Sequence, residues 1–257
     1  MINIGLKISC KDTQYTEEIL SFYNEGVFQY IELFTIPNTY NDTISYWKQF
    51  NIPFGVHAPH SVAGLNLADK NSREKNVKKI EESIKFADIL RAEYIIFHSG
   101  VNGNSDEVIK QLKPFADERF LIENKPIRGI DGSFCVGCDY DGLNFIIEGL
   151  GRSVGFCLDF GHAICAANSL KIDPFDFIKK LKQLKPRVYH LTDGNFSSEL
   201  DSHLHYGEGS YPLGDLVAII DDNSLVTNEA KRESINNLNE VKNDTVFLKR
   251  TFLLNKG

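Results

Sequence analysis

Residues 155–163 read GFCLDFGHA. The first four, Gly-Phe-Cys-Leu, have the composition of a buried strand, and Asp159 and His162 follow, three residues apart. An apolar run that stops on a carboxylate and an imidazole has two readings. Either Asp159 caps the next helix and His162 is incidental, or the pair belongs to a metal site. The cap alone leaves His162 unexplained.

This run is one of eight. Residues 2–8, 28–34, 52–57, 94–98, 120–123, 154–159, 188–191 and 225–229 are all short and rich in Ile, Val, Leu and aromatics. Such runs fit strands buried on both faces. Between them lie amphipathic segments. Residues 72–90 place Val77, Ile80, Ile84 and Ala87 on one helical face, with lysines and glutamates opposite. Residues 175–184 follow Pro174, which suits a first helical turn, and a last helix is expected over 234–249. Eight strand-helix units in 257 residues make about one unit per 32 residues, the size of a βα repeat. The fold expected is α/β, a single (β/α)8 TIM barrel forming one domain over residues 1–257, with a doubly wound open sheet as the alternative. Loops 124–139 and 192–214 are long, and long loops in a compact domain are usually functional or disordered.

Composition narrows the classes. Hydrophobic residues make up 42% and charged residues 25%, ordinary for a globular chain. The net charge of −7 repels nucleic acid, so only a local basic patch would bind it. MINIGLKISC has no basic region before a long apolar run, and no segment is apolar enough to span a membrane. The cytoplasm is the expected location. Five cysteines, an odd number, argue against a disulfide framework. Cys135 and Cys138 form a lone CxxC: half a zinc knuckle, a redox pair, or, as the lack of a second pair favours, two thiols in a loop.

All seven histidines (His57, His60, His98, His162, His190, His203 and His205) fall at the C-terminal end of an expected strand or in the loop just after it, and none in a helix. In an α/β barrel those ends converge on one face, where active sites sit. Glu123, Asp159, Asp201 and Glu229 join them there. Imidazole with carboxylate is the ligand chemistry of zinc and, with fewer nitrogens, of manganese. His57, His98, Glu123, Asp159, His162, His190, Asp201, His203 and Glu229 are too many for one ion, so two or three divalent ions are expected, Zn2+ or Mn2+. Asp193 either caps a turn or orients His190.

These motifs carry a resemblance. HAPH with Asn66-Leu67, then IIFHSG, LIENK, CLDFGHA, YHLTD, DSH and HYGEG, resemble in order and spacing the xylose isomerase-like TIM barrels, and within them the endonuclease IV type of AP endonuclease family 2. The resemblance covers nearly the whole chain. It implies three zinc ions: one on His57, His98 and Glu123; a second on the bridging Glu123 with Asp159, His190 and Glu229; a third on His162, Asp201 and His203. It implies DNA less well. Phe160-Gly161 and Ser202 depart from the endonuclease motifs, His60 stands where a duplex-entering tyrosine is usual, and the loop after strand two reads Thr-Ile-Pro-Asn-Thr-Tyr. Those departures remove cationic and wedge groups that a DNA binder uses.

Two activities follow. The first is a metal-dependent phosphoesterase acting on a phosphodiester or sugar-phosphate ester, with DNA disfavoured. Glu123 bridges and Glu229 orients the nucleophile or acts as base, while His60, Lys125, Arg128, Lys231 and Arg232 are the candidate substrate-binding residues. Lys231 and Arg232 read equally well as solvated residues at a helix start. The alternative is a sugar or sugar-phosphate isomerase or epimerase, with Glu123 and Glu229 moving a proton beside a carbonyl. Glu32 in YIELF resembles the second strand of those enzymes. A binding protein on the same barrel would need vestigial ligands, and none of the nine is missing.

Overall fold

Alternate residues of each strand face the inside of a closed barrel, and this parity positions everything at its mouth. The computed structural model describes residues 2–151, 153–232 and 234–256. The strands β1 (Asn3–Ser9), β2 (Tyr30–Phe34), β3 (Phe54–His57), β4 (Ile95–His98), β5 (Phe120–Glu123), β6 (Gly155–Asp159), β7 (Val188–Leu191) and β8 (Leu225–Asn228) close in sequence order. All neighbours are parallel, β8 pairing back onto β1. The helices between them are α1 (Thr16–Asn24), α2 (Tyr40–Trp47), α3 (Arg73–Leu90), α4 (Ser105–Leu112), α5 (Tyr140–Leu150), α6 (Phe160–Leu170), α7 (Pro174–Lys182), α8 (Leu213–Ile219) and α9 (Asn239–Lys256). This is a single (β/α)8 barrel, as the repeat length implies. Among the described residues no helix is long and apolar enough to cross a membrane.

Outward-facing strand residues such as Leu6, Leu33, Val56, Phe97, Ile122 and Leu158 are buried in the larger core, beneath the helices. Inward-facing residues form a second, smaller cluster of Tyr30, Tyr94, Ile96, Leu121, Cys157 and Val188. Two glycines make room for its tyrosines. A Cβ on Gly5 would lie 2.4 Å from the Tyr30 ring, and one on Gly55 would lie 2.1 Å from the Tyr94 ring. Backbone approach at these positions requires the missing side chain.

The helices follow their caps. Asn104 and Asp139 accept the backbone N–H of Glu107 and Gly142 at 2.9 and 2.8 Å, starting α4 and α5. Asp173 caps α7, with Pro174 in its first turn. Three expectations are corrected. Val77 is 37% exposed, because α3 turns Ile80, Ser83, Phe86 and Ala87 to the barrel and leaves Val77 at the edge of the stripe. The last helix begins at Asn239 rather than 234 and continues to Lys256. Before it, Ser234 Oγ accepts from Asn236 N and Asn237 Oδ1 from Asn239 N. Such local bonds compete with helix formation. Third, His162 lies in the first turn of α6, not in a loop.

Candidate metal centre

Parity aims Lys7, Glu32, His57, His98, Glu123, Asp159 and His190 inward at the strands' C-terminal ends, with Glu229 one residue past β8. All but Lys7 and Glu229 are buried. The loops add the rest. Asp159 accepts the N–H of His162 at 2.7 Å, so it does cap α6, and the same turn delivers His162 to the mouth. The capping reading of GFCLDFGHA therefore holds, and it leaves His162 free to face the mouth. Asn124 fixes Asp159 by a reciprocal pair: its amide donates to Asp159 O and its oxygen accepts Asp159 N–H, both at 2.8 Å.

Asp193 holds the loop after β7. Its oxygens accept four backbone N–H groups, from Gly194 (2.7 Å), Gly207 (2.9 Å), Gly209 (3.1 Å) and Tyr211 (3.0 Å). It is thus a turn organiser and makes no bond to His190. The isolated bridge between Asp193 and Leu204 then sets Asp201 and His203 beside His162.

Among the described residues three donor groups consist wholly of the nine candidate ligands, each with its ligand atoms within 4.8 Å of one another: His57, His98 and Glu123; Glu123, Asp159, His190 and Glu229; and His162, Asp201 and His203. Glu123 belongs to the first two. Its Oε2 lies 3.2 Å from His57 Nε2 and 3.0 Å from His98 Nε2. His190 Nδ1 lies 3.5 Å from Glu123 Oε2 and 2.9 Å from Glu229 Oε1. His203 Nε2 and His162 Nε2 face Asp201 Oδ2 at 3.1 and 3.6 Å.

The hydrogen bonds test whether ions fit. His57 Nδ1 donates to Ala58 O (2.8 Å), His162 Nδ1 to Asn124 O (2.9 Å) and His203 Nδ1 to Glu229 O (3.1 Å), tautomers assigned from the network. A neutral ring so held turns its Nε2 lone pair to the centre. For His57 and His203 that lone pair faces a carboxylate oxygen, a repulsive contact unless a cation lies between. Buried Glu123 Oε1 and Asp201 Oδ2 accept no hydrogen bond, whereas buried oxygens are normally satisfied. The donors fit divalent ions.

Titration agrees in part. Burial pushes His57, His98 and His203 below the usual histidine value, towards the neutral form that ligates. Burial would raise the Glu123 carboxyl, but the surrounding imidazoles of His98, His162 and His57 outweigh it, and it lies well below the carboxylate range. His162 runs the other way: burial lowers it, yet the charges of Asp159 and Glu123 raise it overall.

Above the centre lies a cavity of about 810 Å3. The loop after β5 walls it as a hairpin, with bridges Arg128–Phe134 and Val101–Cys135. Lys125, Arg128, Lys231 and His60 line the cavity. Lys125 Nζ is 3.2 Å from His162 Nε2, Arg128 stacks on Phe134 at 4.2 Å, and His60 stacks between Phe34 (5.2 Å) and His98 (5.9 Å). Arg232 is not brought to the cavity. Its guanidinium pairs with Asp12 and covers the Tyr15 ring. His205 also turns away, donating to Asp244 on α9 at 2.8 Å. Cys135 and Cys138 are free thiols of the hairpin; Cys138 Sγ donates to Pro126 O and Cys135 O. Sequence reasoning passed over Lys7, which lines the cavity and pairs with Glu229 and Glu32. A charged residue at the inward parity of an apolar strand was its signal.

Comparison with known proteins places this geometry. Residues 27–251 match the family described as xylose isomerase-like TIM barrel. The chain is 30% identical over 181 residues to the probable endonuclease 4 of Thermoplasma volcanium, a match covering 65% of this chain and 62% of that relative's length. It is 30% identical over 203 residues to that of Aquifex aeolicus, covering 70% of each. Among solved structures, a D-tagatose 3-epimerase-like protein superimposes with a TM-score of 0.72 at 20% identity, covering 98% of both chains. Endonuclease IV from Thermus thermophilus superimposes with 0.69 at 18% identity, also over 98% of both. At those identities the superpositions establish the fold alone.

Proposed function

This chain belongs to the xylose isomerase-like TIM barrel family, and from that membership we propose that it is a phosphoesterase with a multinuclear zinc centre, acting on a small phosphodiester or sugar-phosphate ester. The observation that carries the reading is that two donor groups share Glu123 and the third adjoins them, His162 Nδ1 lying 3.0 Å from Glu123 Oε1. A single-ion isomerase has no use for His162, Asp201 and His203. The ligands are those of the three groups above. Bound ions would supply a water nucleophile active at neutral pH and positive charge on the phosphoryl oxygens.

The chain's own residues do the rest. Glu123 bridges the first two groups, and its buried charge orders the imidazoles around it. Glu229, at the cavity floor, orients the attacking water or takes its proton. Lys125, Arg128 and Lys231 line the cavity and bind phosphate oxygens. His60, stacked on Phe34, forms an aromatic wall for the remainder of the substrate. The hairpin wall favours a molecule the size of a sugar phosphate over a duplex laid across the mouth.

One observation favours the isomerase alternative: Glu123 and Glu229 both lie within 3.5 Å of His190 Nδ1, two carboxylates about one imidazole. An assay separates the readings. Zinc-loaded protein is given bis(4-nitrophenyl) phosphate, sugar phosphates and an abasic-site duplex. Chelator-sensitive hydrolysis of the small esters, with little incision of the duplex, is expected. Interconversion of sugar isomers without release of phosphate would overturn the proposal.

A further inference from the structure

Glu32 lies at the inward parity of β2 but in none of the three donor groups. It is fully buried, and its Oε2 accepts from Tyr94 Oη (2.7 Å), Thr227 Oγ1 (2.8 Å) and His190 Nε2 (3.0 Å). Its Oε1 accepts no hydrogen bond, and the nearest cation is Lys7 Nζ at 3.6 Å. Lys7 is the register partner of Glu32 across β1 and β2, so the strands themselves set the pair. The same ammonium contacts Glu229 Oε1, the oxygen that also lies 2.9 Å from His190 Nδ1.

Glu32, His57, His190 and Glu229 thus form a further group whose donor atoms lie within 4.8 Å of one another. The cation they would hold is already present, covalently attached to β1. An ion entering at Glu229 must displace the ammonium from that oxygen and then sit beside it, two positive charges in a site of low dielectric. Among the described residues no lysine or arginine pairs with Glu123, whose charged partners are the imidazoles of His57, His98, His162 and His190.

We propose that Lys7 is a resident competitor for the ion position at Glu229, so that this position fills after the position at His57, His98 and Glu123 and holds its ion more weakly. The inference rests on the multinuclear reading and deepens it: Lys7 sets the order in which the centre loads. Lys7 is a positioning residue in this sense, acting through Glu229.

The test is a zinc titration of metal-free protein against a chromophoric chelator. Wild type, Lys7→Met and the double variant Lys7→Met/Glu32→Gln are compared. The double variant removes the pair as a neutral unit, so it carries the test if Lys7→Met alone fails to fold around an uncompensated Glu32. In wild type one step is expected to be weaker than the first. In the double variant that step tightens by at least about tenfold, a change of about 1.4 kcal/mol, with the number of ions unchanged. Equal or weaker binding in the double variant overturns the role of Lys7. Tightening in the single variant alone also overturns it, since the freed Glu32 would then have become a ligand. No zinc bound by any of the three proteins overturns the metal-centre reading itself.

Discussion

Tyr94, Ile96 and His98 follow one another along the inner side of β4 and its approach, yet they belong to regions built by opposite rules. Tyr94 fills the floor: its ring lies where a Cβ on Gly55 would be, and its hydroxyl donates to Glu32. The hydroxyls there all have partners within the protein: Tyr30 bonds Thr227, and Tyr94 and Thr227 donate to Glu32. His98 belongs to the mouth, where imidazoles and carboxylates face one another and buried oxygens of Glu123 and Asp201 accept no hydrogen bond. The floor is complete as folded. The mouth clusters donors of the kind that hold cations, and it leaves Glu123 Oε1 and Asp201 Oδ2 without a hydrogen bond. The contrast separates stability from function within one ring of strands.

Substitutions can break that contrast. At the mouth, Glu123→Gln is expected to lower ester hydrolysis by about 10²–10³-fold, the cost of removing one oriented charged group. The metal-free protein should lose less stability than a floor substitution costs, because the amide keeps the carboxylate's volume and only the favourable surroundings of its charge are lost. Parallel kinetics and urea unfolding check both halves, and a large loss of stability would erase the distinction. On the floor, Gly55→Ala should do the reverse. A Cβ 2.1 Å from the Tyr94 ring forces the layer apart, at about 3 kcal/mol. Zinc content of the protein that still folds should be unchanged.

Two smaller effects sharpen the comparison. Asp193→Ala removes the acceptor of four backbone N–H groups without touching a ligand. Zinc should be held about tenfold more weakly at one position only, His162/Asp201/His203, as read by chelator competition. The last concerns pH. Burial first, then the charges of His57 and Lys125, pulls His60 from 6.5 to about 3. Below pH 6.5 the unfolded chain therefore takes up a proton that the folded chain refuses. The stability this contributes is complete above 6.5 and is lost as pH falls towards about 3. Metal-free His60→Asn should show a shallower fall than wild type in acid, by less than about 1 kcal/mol between pH 7 and 6.

Much of this was legible in the sequence because parity in a barrel is rigid. The runs 120–123 and 188–191 match β5 and β7 residue for residue, and a strand that ends on Glu123 or His190 can only aim it at the mouth. The same geometry brought the nine candidate ligands together. What escaped was set by neighbours rather than by period. Val77 depends on how α3 rolls against β3 and β4, and Arg232 on finding Asp12 far away in sequence. Lys7 depends on the register of β1 against β2, which no single strand encodes.

The mouth is proposed to hold several ions, and elemental analysis of the purified chain counts them. Two to three zinc per chain are expected, removed by chelator and restored on addition of zinc, with hydrolysis following the metal. A chain that holds a single manganese, and no more after incubation with excess zinc, would contradict it.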